Sequence, residues 1–283
     1  MVTRRCTQRQ FLLGPSPMTK QVFGYCLALA QEETGMTVHA AIALSNHYHL
    51  IITDPEGRLP EFTYILNKYV AKCMNAHYGR WENFWAGGSQ ASYVRLTDDE
   101  AKLEKTAYAI ANPVEAGLVS RSAQWPGFLL WKPGTYKFHR PKVFFDEQGF
   151  APKSLKLRIT PVPLDALSRP REVMERVGLV LAEREKALRK ERQESGLRFL
   201  GVARIRGQRF TDTPTSNEPR RRLSPQVAGR DKWRRIEMLQ RVKSFVADYR
   251  AALARWLGGE KAVLFPPGTY KLRVEYGLPI ADA

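Results

Sequence analysis

Apolar residues recur at helical spacing in two segments of the first half of the chain. They occupy every third or fourth position from about residue 18 to 34 and again from about 59 to 78. This period predicts amphipathic helices with one face turned to a core. Gly35 and Gly79 follow the two segments, and glycine is common directly after the last helical turn. We therefore predict two helices that end at these glycines.

Strand-like segments surround these helices. Residues 3–13, 37–44 and 49–53 are rich in β-forming residues, and an aromatic run, NFWAGGSQASYVRL, follows the second helix. A third helix is predicted from about 98 to 111, with Thr97 as its N-cap and acidic residues in its first turn. This order predicts an α+β domain with one largely antiparallel sheet, helices packed against it and a ferredoxin-like arrangement.

The pattern changes after residue 125, so we divide the chain into a first domain, 1–125, and a basic, mainly helical C-terminal region, 126–283. Helices are predicted over 171–195 and 231–257. The near-copies WKPGTYKF, from residue 131, and FPPGTYKL, from residue 265, predict two similar turn-plus-strand units. The apolar stripe of the last long helix is expected to pack on the chain or on a second copy, which would make a homodimer.

The charge balance favours a polyanionic partner. Lysine and arginine number 45 against 28 acidic residues, which gives a net charge of +17 and a pI near 10.0. Residues 1–150 carry +3 of this charge and residues 151–283 carry +14. Nucleic acid is the natural candidate, and its contacts are expected mainly in the second half. A basic protein can also exist without such a partner.

Cysteine usage and hydropathy indicate an intracellular protein. Cys6, Cys26 and Cys73 match no zinc or redox spacing, so they are expected to be reduced core residues. No segment resembles a secretory signal or a membrane span. We expect a cytoplasmic, bacterial protein associated with the nucleoid and no membrane partner.

The hexapeptide SNHYHL, residues 45–50, carries the first chemical signal. His47 and His49 are two positions apart in a strand, so they project on the same face about 6–7 Å apart and can share one ion. Tyr48 then points to the opposite face. Two histidines in a sheet are often surface residues, so this pair requires a partner elsewhere in the chain.

The third helix offers that partner. Tyr108 and Asn112 are four residues apart and share a helical face, and Lys105, three residues before Tyr108, lies on the same face. Asn112 precedes Pro113, which disfavours continuation of the helix. We therefore expect the Asn112 amide at the helix end, where its carbonyl oxygen is available.

Together these motifs resemble the HUH superfamily of single-strand DNA nucleases. The match is best to single-tyrosine transposases of the REP-associated group, which show an Asn-His-x-His-Leu motif and a helix ending in Tyr-x-x-x-Asn-Pro-Val. The second string here is YAIANPVEAGLV, from Tyr108 to Val119. The resemblance covers about residues 3–125. Relatives often have a basic residue where this chain has Glu115, which puts a local DNA contact in doubt.

The resemblance implies a site and a reaction. His47, His49 and Asn112 would bind a divalent metal, Mg²⁺ or Mn²⁺, and Tyr108 would cleave single-stranded DNA next to a hairpin or REP-like palindrome through a 5′-phosphotyrosine intermediate. Lys105 would hold the phosphate or favour the phenolate. The residues expected to contact DNA are Arg4, Arg5 and Arg9 in the first strand, an aromatic residue among Trp81, Phe84, Trp85 and Tyr93, with Trp85 preferred, and the run Arg220, Arg221 and Arg222.

Two other functions remain open from the sequence. The first is a nucleic-acid-binding regulator that keeps the fold without turnover, with the histidine pair in a structural role. The second is an RNA-processing endonuclease, which would cleave without a covalent adduct.

Overall fold

The computed structural model describes residues 1–87, 91–145, 149, 151–167, 169–215 and 226–281. Helices pack on both faces of a mainly antiparallel sheet. The strands are β1 (Val2–Arg5), β2 (Thr37–Ala43), β3 (His47–Thr53), β4 (Ser92–Tyr93), β5 (Arg95–Leu96), β6 (Phe128–Leu130), β7 (Gly134–His139), β8 (Ser154–Ile159) and β9 (Val227–Ala228). The helices are α1 (Pro17–Thr34), α2 (Leu59–Tyr78), α3 (Asp99–Glu115), α4 (Pro170–Glu194), α5 (Val202–Arg206), α6 (Lys232–Leu257) and α7 (Lys271–Tyr276).

The main sheet orders its described strands β4-β1-β3-β2-β8-β7. All of these neighbours are antiparallel except β2 and β8, which meet in parallel at Val38 and Ile159. Strand β6 pairs antiparallel with the other end of β2, so two strands share one edge of β2. Strands β5 and β9 form a separate parallel pair. The predicted α+β class with a largely antiparallel sheet is thus confirmed.

The two faces of the sheet carry different helices. On the first face, α1 and α2 bury their apolar sides against Tyr48 and Leu50 of β3. On the second face, α3 and α4 pack against Ala40 and Ile51. Burial of apolar surface on both sides of the sheet provides the main stabilisation of such a fold. Side-chain alternation in β3 therefore decides which residues face α3.

The helix boundaries of the first half agree with the sequence pattern. Helices α1 and α2 begin and end within one residue of the predicted limits. The Ser16 side chain caps α1 by accepting a hydrogen bond from the Thr19 N–H at 3.0 Å. Gly35 and Gly79 follow the helices at φ of 68° and 63°, a left-handed conformation that favours glycine.

The first predicted strand was too long. Strand β1 ends at Arg5 and is followed by a 3-10 turn over Thr7–Arg9, in which Gln8 and Arg9 have φ of 48° and 60°. The turn reverses the chain so that Leu12 and Leu13, which the prediction placed in the strand, are buried in the core below α1. Burial of these leucines outweighs the cost of two left-handed residues.

The predicted end of α3 was also wrong. The helix continues through Asn112 and Pro113 to Glu115, and Asp98, not Thr97, is its N-cap. Proline removes one backbone donor, but its ring occupies a buried position beside Val114. The N–H groups of Leu118 and Val119 both bond to the Pro113 carbonyl, at 2.9 and 3.3 Å. Packing and these bonds keep the last turn helical.

The sheet extends past residue 125, where the sequence analysis placed a domain boundary, because β6, β7 and β8 all join it. The first near-copy forms β7 as predicted. The second does not form a strand: it ends in α7, and Phe265 makes a single bridge to Ile280. Strand β7 has β8 as a full pairing partner, whereas the second copy has none among the described residues and buries Leu272 from a helix instead.

Helices α4 and α6 form over the predicted residues. The C-terminal half of the α6 stripe packs on the following segment through Tyr249, Leu253 and Trp256, whereas Leu239 and Val246 in its first half are exposed. Among the described residues, no helix combines the length and apolar character needed to cross a membrane. The three cysteines are buried and form no disulfide.

Candidate active site

The pairing register of β1 and β3 determines which face of the sheet carries the histidine pair. Thr3 lies opposite His49 and Arg5 lies opposite His47, so these four side chains point to the α3 face. Tyr48 points to the other face, where its hydroxyl donates to Asn67 Oδ1 at 2.9 Å. The alternation predicted for SNHYHL is therefore present in the structure.

The two imidazoles lie close together and are each held at Nδ1. Their ring centroids are 4.8 Å apart and the rings are nearly perpendicular. His47 Nδ1 donates to Asn46 Oδ1 at 2.7 Å, and Asn46 in turn donates from its amide to the Arg9 carbonyl. His49 Nδ1 is 2.7 Å from Thr3 Oγ1. These bonds restrain both rings and direct their Nε2 atoms away from the strand.

His49 Nε2 is buried and has no hydrogen-bond partner among the described residues. A buried polar atom without a partner costs on the order of 1–3 kcal/mol, so such atoms usually have a reason to persist. In the tautomer whose Nδ1–H donates to Thr3 Oγ1, Nε2 carries a lone pair. A lone pair of this kind is what a divalent cation requires from histidine.

The surroundings keep both imidazoles neutral at pH 7. Burial and, to a smaller extent, the nearby Arg5 guanidinium lower the pKa of His47 to about 4, although a side-chain hydrogen bond with Asn112 opposes them. The pKa of His49 is also well below its ordinary value, first because of burial and then because of His47 and Lys105. Neutral imidazole is the form that binds a metal.

Helix α3 brings Tyr108 to the histidines. The Tyr108 ring lies edge-on to His49, with centroids 5.5 Å apart. Lys105 Nζ is 5.3 Å from the centre of the Tyr108 ring. Asn112, one turn further along, is buried and interacts with His47. The five side chains predicted to form one site, those of His47, His49, Lys105, Tyr108 and Asn112, thus lie close together within a single chain.

Arg184 is a further residue of the site that the sequence analysis missed. It belongs to α4, and its guanidinium carbon is 5.1 Å from the centre of the Tyr108 ring. It also forms an ion pair with Glu115 at 2.9 Å. A signal was present, because Arg184 falls at helical spacing between the core residues Leu181 and Leu188. A charged residue within an apolar stripe requires a partner, and here the partners are Tyr108 and Glu115.

The three arginines predicted to contact DNA from the first strand lie in different places. Arg5 is exposed on the α3 face beside His47. Arg4 lies opposite Tyr48 and therefore points to the other face. Arg9 lies in the turn after β1, and its carbonyl accepts the Asn46 amide. Arg220, Arg221 and Arg222 lie outside the described residues.

Trp85 is a core residue and not a surface on which a base can stack. It is 9% exposed, its indole N–H donates to the Asn67 carbonyl at 2.9 Å, and its ring contacts Tyr48 edge-on. Phe84 is buried as well, whereas Trp81 is 90% exposed. Aromatic content alone did not distinguish these neighbours, because residues 84–86 pair with β1 and draw their side chains inward.

The donor set available to a metal is neutral. Within the described part of the chain, no group of three or more His, Cys, Asp and Glu residues could hold an ion. The site instead offers two imidazole nitrogens and the amide oxygen of Asn112. Such a set fits a divalent ion that retains open positions for water and an anionic ligand.

Comparison with known proteins gives one partial match. No protein-family model and no curated protein matches the chain. Among solved structures, it is similar to a REP-associated tyrosine transposase bound to a REP hairpin, with 21% sequence identity and a TM-score of 0.37. The match covers 45% of this chain and 73% of that one.

Proposed function

We propose that this protein is a metal-dependent single-stranded DNA transesterase that cleaves beside a hairpin through a tyrosine nucleophile. The observation that carries the proposal is the contact between Tyr108 and His49, whose Nε2 lacks a partner among the described residues. A phenol beside an available imidazole pair is the arrangement that the sequence motifs around His47 and Tyr108 imply. The strand order β4-β1-β3-β2 supports the ferredoxin-like form of the fold.

His47, His49 and Asn112 would hold the metal, Mg²⁺ or Mn²⁺. When bound, a divalent ion neutralises negative charge that develops on the phosphate during attack. Histidine neutrality at pH 7 supports this assignment, as does the unsatisfied Nε2 atom. The Nδ1 bonds to Asn46 and Thr3 would orient the two rings.

Tyr108 supplies the nucleophile in this proposal. Its phenolic oxygen forms a bond to phosphorus and its proton passes to solvent, while the bond from phosphorus to the 3′ oxygen breaks. The departing 3′ oxygen takes up a proton, which leaves a free 3′-hydroxyl and DNA joined to Tyr108 through its 5′ phosphate. Attack by another 3′-hydroxyl on this linkage rejoins DNA without ATP, because the energy of the original bond is retained.

Charge around Tyr108 supports a phosphate ligand. Lys105 lies against its ring from the preceding turn of α3, and Arg5 lies beside His47 on the neighbouring strands. Cations at this position offset the negative charge of an incoming backbone. Tyr108 is only half-exposed on a packed helix, so a scissile strand must be unpaired to reach it. We therefore propose hairpin DNA with a single-stranded extension as substrate, and a DNA-binding or dimerisation role for the basic region after residue 125.

The decisive experiment uses oligonucleotides from genomic palindromes that flank the gene. Wild-type protein is incubated with each labelled oligonucleotide and Mg²⁺ or Mn²⁺, and denaturing gels are used to detect DNA covalently linked to protein. We expect a protease-sensitive, metal-dependent adduct and a nicked product. Tyr108→Phe should abolish both while DNA binding persists, because the phenylalanine ring lacks the attacking oxygen.

Tyr64→Phe is the matched control, because Tyr64 is an exposed tyrosine on α2 and has no place in the site. It should form as much adduct as the wild type. Binding without metal-dependent nicking of any oligonucleotide would contradict the proposal and favour a non-catalytic regulator. Cleavage of RNA without an adduct would indicate an endonuclease of another class.

A further inference from the structure

Arg184 connects the second half of the chain to the candidate site. Its guanidinium lies over the Tyr108 ring and pairs with Glu115, which follows Tyr108 by two helical turns on the same face of α3. The ring therefore has Lys105 and Arg184 as cationic neighbours. A guanidinium against an aromatic ring is a favourable contact by itself, but it leaves most of the N–H donors available.

One of those donors is unsatisfied. Arg184 Nε is buried and has no hydrogen-bond partner among the described residues, although Nη2 bonds to Glu115 Oε2 at 2.9 Å. The side chain as a whole is 33% exposed, so a ligand can reach it at atoms other than Nε. The two Nη groups of arginine also form a fork that matches two oxygens of a phosphate.

Helix α4 holds this arginine in a fixed position. Val177 and Leu181, two turns and one turn before Arg184, are buried against α3. The adjacent Glu185 is buried and accepts a hydrogen bond from the Ser122 N–H at 2.7 Å. Arg189 donates to the Ser120 carbonyl at 3.1 Å. These contacts secure α4 to the segment after α3, so the guanidinium is placed before any ligand arrives.

We propose that Arg184 binds a backbone phosphate of the DNA strand beside Tyr108, and that Glu115 holds the guanidinium in place until the strand arrives. This inference rests on the proposed function, and it assigns part of substrate binding to the region after residue 125. Glu115 and the phosphate then share one guanidinium, which has enough donors for both.

The experiment measures binding in EDTA, where cleavage cannot proceed. The probe is a fluorescein-labelled DNA hairpin with a short single-stranded extension, and a neutral methylphosphonate replaces each extension phosphate in turn. With wild-type protein, affinity should fall about tenfold or more when the contacted phosphate is neutralised. Arg184→Ala should bind the unmodified probe about tenfold more weakly and lose its sensitivity at that one position. Arg184→Lys should recover part of the affinity, because it restores the charge but not the fork.

Two variants separate a ligand contact from a structural role. Arg171→Ala removes an arginine of α4 whose side chain is 90% exposed and pairs with Glu175, so it should leave the phosphate profile unchanged. Glu115→Gln keeps an amide oxygen that can accept the hydrogen bond from Arg184 and removes a negative charge near the phosphate, so affinity should stay equal or increase. A loss of affinity in Glu115→Gln as large as that in Arg184→Ala would overturn the inference, because the ion pair would then act only through the fold.

The outcomes also separate this inference from the proposed function. Identical phosphate profiles for wild type and Arg184→Ala, in a protein that forms the tyrosine adduct, would reject the Arg184 contact alone. If the profiles of wild type and Arg184→Ala differ at one phosphate but no adduct forms, the proposed nuclease activity is rejected and the Arg184 contact is retained. Failure of the wild type to bind any such probe would reject both.

Discussion

Among single residues, Asn46 and Thr3 hold the two histidine rings in their orientation. Each bonds to an Nδ1 atom, and neither belongs to the pair itself. Asn46 Oδ1 can only accept, so His47 carries its proton on Nδ1 and its lone pair on Nε2. Binding of the proposed metal at Nε2 would thus be prepared by neighbours one position away in sequence and one strand away in the sheet.

Removal of either histidine should weaken the proposed metal site without unfolding the protein. We expect His49→Ala and His47→Ala to weaken Mn²⁺ binding at pH 7 by at least about tenfold, because each removes one of three donors. Calorimetric titration measures the affinity directly. Mn²⁺ binding by the wild type should not require a pH above 7, since the lowered pKa of both histidines already leaves them unprotonated.

His139→Ala is the control for this titration, because His139 is exposed at the end of β7 and distant in sequence from the pair. It should bind Mn²⁺ as the wild type does. Equal affinity in the wild type and His49→Ala would mean that the orphaned Nε2 atom does not serve a metal.

The shared face of His47 and His49, and that of Tyr108 and Asn112, were predictable from sequence, because strand and helix periods are local. Residues two apart in a strand, or three or four apart in a helix, lie on the same face of that element whatever the fold. The meeting of the two faces was implied only by the family resemblance. Arg184 was not predictable as a neighbour of Tyr108, because that contact depends on how α4 crosses α3. The prediction that Trp85 contacts DNA was wrong for a related reason, because Trp85 is buried by the pairing of its loop with the chain at the end of β1.

At the level of secondary-structure elements, α3 is anchored at its start as well as along its length. Asp98 accepts a hydrogen bond from the Ala101 N–H at 2.8 Å and another from the Asp231 N–H at the start of α6. One carboxylate therefore caps one helix and contacts the first residues of another. Anchoring of α3 matters for function because this helix carries Tyr108 and Asn112.

Loss of this cap should destabilise the protein measurably. We expect Asp98→Ala to lower the free energy of unfolding by about 1–2 kcal/mol, as measured by urea denaturation, because it removes a buried N-cap. Asp98→Asn should lose less than half of that, since asparagine also accepts from the N–H groups of a helix start. Asp248→Ala, an exposed acidic residue of α6, should change stability by less than about 0.5 kcal/mol. Equal losses in Asp98→Ala and Asp98→Asn would show that charge, not capping, is the contribution.

Element boundaries were predictable where a local signal ends the element and not where packing decides. Gly35 and Gly79 end α1 and α2 as their backbone freedom suggests. Pro113 predicted that α3 ends before it, but burial of the last turn keeps these residues helical. The near-copies WKPGTYKF and FPPGTYKL differ in structure because only the first has a strand beside it to pair with.

For the whole molecule, the important result is that Tyr108 and the histidines of one chain meet each other. The α3 face of the sheet receives His47 and His49 from β3 and Tyr108 from the helix packed above them. The region after residue 125 completes the surroundings through α4. A single copy thus contains all the groups that the proposed reaction uses.

Two inactive variants should therefore fail to complement each other. When His49→Ala and Tyr108→Phe proteins are mixed in equal amounts with metal and a cleavable hairpin, we expect no covalent adduct above that of either variant alone. The measurement is the same denaturing gel. Recovery of adduct in the mixture would show that the tyrosine of one protomer serves the histidines of another, contrary to the arrangement within the chain.

The alternation of β1 and β3 has a practical consequence for protein engineering. Among the odd-numbered positions of the two strands, Thr3, Arg5 and His49 face the candidate site, and even-numbered positions such as Val2 and Leu50 face the opposite core. Variants intended to retune ligand preference should be sought at the odd positions, and those intended to raise thermal tolerance at the even ones. The two properties can then be selected in separate libraries drawn from the same two strands.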